Sequence, residues 1–175
     1  MGGSLSYLAN EAPPGSALYT YRTLVNEPVE EMLATSDESK AKLNLMLIDE
    51  HLTTAKTLAL QNKLDVAGQA AVNEEIANRI QAITEILDHL QASGQNVLSA
   101  QIARTLYQTL QEQTQSLIAA SSHGSLSAQL ALTPIIVRLR TAGATVSLLA
   151  TAAAARANDI ETNIAPSPSV STIQK

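Results

Sequence analysis

The sequence predicts an all-α protein, an antiparallel helical bundle of four to five main helices preceded by short N-terminal helical pieces. Three observations carry this. The 175 residues include no Phe, Trp or Cys and only four Tyr, so the core is built from Leu, Ile, Val, Ala and Met, a palette suited to packed helices. The seven Gly and six Pro gather near the termini and at a few breaks, leaving long runs rich in Ala, Leu, Gln and Glu. Within those runs apolar residues recur at alternating spacings of three and four, the period of a helix face.

Residues 1–12 carry small and apolar groups without a capped period and read as a lead. Pro13-Pro14-Gly15 blocks helix continuation. Ser16 then offers an N-cap for a short helical piece carrying Leu18, Tyr21 and Val25, and Glu27-Pro28 starts a second piece or kinks the first. Ser36, with Asp37, Glu38 and Ser39 behind it, is the clearest helix start in the chain. The long helix that follows carries Ala41, Leu45, Ile48, Leu52, Ala55 and Ala59 on one stripe.

Asp65 is the expected N-cap of the next helix, whose stripe is Ile76, Ile80, Ile83, Leu87 and Leu90, with Glu74, Glu75 and Arg79 off it. Gly94 is its expected left-handed end. A further helix carries Leu98, Ile102, Leu106, Leu110 and Leu117 and ends near His123-Gly124. From Ser125 the chain is helical again, with Thr133-Pro134 expected to kink or split it. Thr141–Ala155, between Arg140 and Arg156, falls short of the roughly 20 residues of a membrane span and reads as a buried helix. The domain limits are therefore a lead over 1–12, a bundle over 13–157 and a disordered tail or linker over 158–175.

Charge and composition exclude several functions. A net charge of -5 without a basic cluster argues against nucleic acid or anionic lipid as partner. The absence of cysteine removes disulfides, thiolate metal sites and cysteine nucleophiles. No nucleophile elbow and no phosphate-binding glycine loop is present, so an enzyme is not expected and no cofactor is assigned. Glu50, His51, Glu85 and His89 form an alternative metal set, with Glu85 and His89 one helical turn apart. Tyr19, Tyr21, Asn26 and Glu27, in the least repetitive stretch, are candidates for contact with a protein partner. Their simpler role is to lock that stretch on the bundle and cap the helix begun by Pro28. Exposed helical stripes could also support a homo-oligomeric scaffold.

The N-terminal half carries a resemblance. Pro14-Gly15-Ser16-Ala17-Leu18-Tyr19, then Val25-Asn26-Glu27-Pro28-Val29, then Ser39-Lys40-Ala41-Lys42 resemble, in order and spacing, the bacterial five-six-six-seven family, a domain of unknown function. Ser16 stands where that family more often has Asp, and Thr20-Tyr21-Arg22 replaces its Pro-x-Lys. The second half is similar only in helical character. The resemblance implies a helical domain outside the cytoplasm, anchored to the cell membrane by a span preceding residues 1–12, with Met1 an added start. It implies no reaction.

Overall fold

A computed structural model describes residues 27–164. Tyr19, Tyr21 and Asn26, and the lead over 1–12, lie outside the described residues. The chain forms a seven-residue helix, α1 (Glu27–Leu33), followed by four long helices: α2 (Asp37–Leu60), α3 (Val66–Ala92), α4 (Asn96–His123) and α5 (Leu126–Ile164). The all-α bundle expected from the sequence is what the structure shows, and no strand occurs among the described residues.

Local chemistry fixes the helix ends. Ser36 and Ser39 cap α2 reciprocally: the Ser39 N–H donates to Ser36 Oγ at 3.1 Å and the Ser36 N–H to Ser39 Oγ at 3.0 Å. Asp65 accepts from the Gly68 N–H at 2.7 Å and starts α3. α2 and α3 terminate alike. Asn62 (φ 57) and Gly94 (φ 78) take the left-handed conformation, and the next residue's N–H reaches back five positions, Lys63 to Leu58 O and Gln95 to Leu90 O.

These ends turn the chain into two antiparallel hairpins, α2–α3 and α4–α5, packed into one up-down-up-down bundle. The core is aliphatic: Ile48, Leu52, Ile76, Ile83, Leu106, Leu110, Leu132 and Leu139 are all buried. The stripes differ from the expected ones in an informative way. On α3 the buried face is Val72, Ile76, Arg79, Ile83, Leu87 and Leu90, so Arg79 occupies a core register and Ile80 lies beside it. On α2, Asn44 and His51 are buried, while Leu45 of the expected stripe is only half-buried.

α5 departs from expectation three times. Pro134 neither splits nor ends it, and the helix runs unbroken for 39 residues. Pro134 and Leu130 both face solvent, so the carbonyl that loses its N–H partner can be satisfied by water. The helix also continues to Ile164, past the limit at 157. Finally, the segment 141–155 is not a buried helix: only Val146 and Ala153 are buried there, while Leu148 is 74% exposed. Leu126–Asn158 is long and apolar enough to cross a membrane by length and composition, with a mean hydropathy of 1.3, but its inner face packs along α4 as a bundle helix.

Candidate functional site

α1 reaches the bundle through its first residue. Glu27 is 1% exposed, whereas Val29, Met32 and Leu33 of the same helix point outward. The Glu27 carboxylate enters a polar cluster between α2 and α3. Arg79 Nη2 donates to Glu27 Oε2 at 2.5 Å, and His51 Nε2 stands 3.2 Å from Glu27 Oε1. Arg79 also donates to Asn44 Oδ1 at 3.3 Å and, one helical turn back, to Glu75 Oε2 at 3.5 Å. Asn44 Nδ2 in turn donates to Lys40 O at 2.9 Å, which holds its amide with the oxygen toward Arg79.

The elements explain why these groups meet. Asn44 and His51 lie two turns apart on α2, facing α3; Glu75 and Arg79 lie one turn apart on α3, facing α2. Antiparallel pairing brings the four level, and α1 lays Glu27 across them. The enclosure is tight, with His51 0%, Asn44 3% and Arg79 8% exposed. Arg79 is suited to the centre because its planar fork can serve acceptors on three helices at once.

Electrostatics is uneven in this cluster. Burial, and then repulsion from Glu27, raise the pKa of Glu75 above its ordinary value, while Arg79 and His51 pull it down. Two carboxylates thus share one permanent cation among the described residues. Buried charges of this kind are strongly interdependent, since removing one leaves another desolvated and unpaired.

Of the sequence-derived metal set, only His51 belongs here. Glu50 is exposed on the same helix. Glu85 and His89 lie toward the other end of the α2–α3 hairpin, where His89 Nδ1 is 2.6 Å from Asp37 Oδ2 and Glu85 accepts from Gln81. Antiparallel packing places them level with the start of α2 and not with His51, so the set is not assembled. Glu27, considered as a partner contact, is interior. Glu75, Arg79 and Asn44 were not singled out from the sequence, although Arg79 at a core register of α3 was a readable signal.

Beside the cluster, a groove of about 800 Å³ runs between α1, α2 and α3, lined by Met32, Asp37, Lys40, Asn44, Ile86 and His89 among others. Asn44 is shared by groove and cluster. No family model, curated protein or solved structure matches the chain, so the resemblance in the N-terminal half rests on its own residues.

Proposed function

We propose that this chain is a non-catalytic interaction or sensing domain, held outside the cytoplasm of a bacterium by a membrane anchor on its N-terminal side. The observation that carries the sensing element is the burial of Glu27 between Arg79 and His51. Among the described residues, α1 packs its backbone near the start of α2 and reaches α3 through the Glu27–Arg79 pair. Among the described residues, the Glu27 carboxylate is the buried group by which α1 enters the bundle. A domain tethered through this end would feel or transmit force and ligand binding at the point where α1 docks, because release of Glu27 frees α1 without dismantling the hairpins. The resemblance of the N-terminal half supports the location, and the groove between α1, α2 and α3 supports a protein partner at that face.

Fractionation of bacteria expressing the full-length gene product tests this reading. The protein is expected in the membrane fraction and open to protease added from outside. A soluble product recovered from the cytoplasm would overturn it.

A homo-oligomeric scaffold has one observation in its favour. Leu126, Leu130, Val137 and Leu148 are more than half exposed on α5 and recur at spacings of four, seven and eleven, close to one helix face. Light scattering across concentration separates the two readings, a constant monomer mass excluding the scaffold.

A further inference from the structure

Glu27, His51 and Glu75 are the one group of three or more histidine and carboxylate side chains, among the described residues, whose ligand atoms all lie within 4.8 Å of one another. They come from three different helices. Glu27 and His51 are enclosed and Glu75 is partly covered, so their convergence is part of the interior and not a crowding of surface acids. Nitrogen and oxygen donors without cysteine suit a borderline ion such as Zn²⁺ better than Ca²⁺ or Mg²⁺, which take six or more oxygens.

The two oxygens of Glu27 are divided between partners. Oε2 is held by Arg79 at 2.5 Å, while Oε1 faces His51 Nε2 at 3.2 Å. Adjacent ligands of a tetrahedral zinc, with bonds of about 2.0–2.1 Å, stand about 3.3 Å apart. Oε1 and Nε2 already have that separation. The outermost pair must close by about 1.5 Å at most, a change within the rotamer freedom of a glutamate. Glu75 gives up little in moving, since its bond to Arg79 is long at 3.5 Å.

Arg79 need not leave. Metal-ligating carboxylates are commonly oriented by an outer hydrogen bond, and Arg79 supplies one to the oxygen that faces away from His51.

We propose that Glu27 Oε1, His51 Nε2 and a carboxylate oxygen of Glu75 bind one divalent first-row transition ion of the Zn²⁺ class, with Arg79 as the positioning residue for Glu27. The ion would join α1, α2 and α3 through direct bonds and so fasten α1 to the hairpin. That consequence for signalling rests on the sensing reading above; the site itself does not.

Calorimetric titration of the chelator-stripped 175-residue chain with zinc chloride at neutral pH, paired with thermal melts, tests the site. One ion per chain is expected, with a melting point raised by about 5–10 °C at a hundredfold excess over Kd. Both signals should vanish in His51→Gln and in Glu75→Gln and persist in His89→Ala, which removes the exposed Asp37–His89 pair. Cobalt loading should give a visible absorption band that His51→Gln abolishes. Absence of heat and shift in the wild-type chain would overturn the proposal. So would binding that survives both cluster substitutions but is lost in His89→Ala. Circular dichroism establishes that the metal-free variants fold, and if His51→Gln does not, Glu75→Gln decides. The fractionation experiment requires no metal, so the two can fail separately.

Discussion

Replacement of Arg79 by methionine tests the polar cluster most severely. Methionine keeps much of the length of the arginine stem, so the lost group is the guanidinium. Three acceptors on three helices lose a donor: Glu27 at 2.5 Å, Asn44 at 3.3 Å and Glu75 at 3.5 Å. Glu27, 1% exposed, is then left desolvated beside a second carboxylate without the guanidinium. Breaking a buried pair from one side costs about 3–5 kcal/mol. In a chain of this length that lowers the melting point by roughly 6–20 °C.

Urea unfolding followed by circular dichroism, in the presence of chelator, measures the loss. The double variant Glu27→Gln with Arg79→Met removes the orphaned charge as well and should recover about 1–3 kcal/mol, the coupling of neighbours in one network. A single-variant loss below about 1.5 kcal/mol, the cost of an ordinary apolar core swap, would refute the reasoning, because it would mean that Glu27 is not desolvated against Arg79.

Two further predictions concern single positions. The folded state raises the pKa of Glu75, chiefly by burial and secondly through Glu27, so between the ordinary carboxylate range and the raised value the native state binds more proton than the unfolded one. Metal-free stability should therefore fall as pH rises through that window, and Glu75→Gln should flatten the decline; an equal slope in both proteins, from urea midpoints between about pH 4 and 7, would contradict this. At the turn into α5, a Cβ on Gly124 would lie 2.9 Å from Ala120 O and 2.9 Å from the Ala128 Cβ, so Gly124→Ala should cost about 1–3 kcal/mol by overpacking. Gly94→Ala meets open space but a φ of +78°, and its smaller cost, about 1 kcal/mol, should come from the backbone alone. Thermal melts of the two variants give the order.

The bundle was legible because its signals are local and repeated. The Ser36 cap, the Asp65 cap and the left-handed Gly94 each act within a few residues, and the aliphatic stripes repeat over many turns. Pro134 does not split α5, because its effect depends on which side of the helix it faces, and it faces water. The length and exposure of α5 were misjudged for a related reason: alanine-rich sequence is equally compatible with an inner and an outer helix, and only the partner helix decides. The site was half legible. His51 and Glu27 were singled out, but for different roles and with different companions, since their meeting depends on the register of α2 against α3 and on where α1 lands. The sequence reading set Arg79 off the α3 stripe and passed over Asn44, yet each stands three or four residues from buried positions on both sides, Ile76 and Ile83 for Arg79, Ala41 and Ile48 for Asn44.

The central claim is that Glu27 fastens α1 to the α2–α3 hairpin. The chain has no cysteine, so Met32→Cys on α1 and Glu85→Cys on α3, both lining the groove, provide unique attachment points for spin labels. Pulsed electron resonance should give one narrow distance distribution in the otherwise wild-type protein and a broad or displaced one once Glu27→Ala is added. A distribution unchanged by Glu27→Ala would contradict the claim.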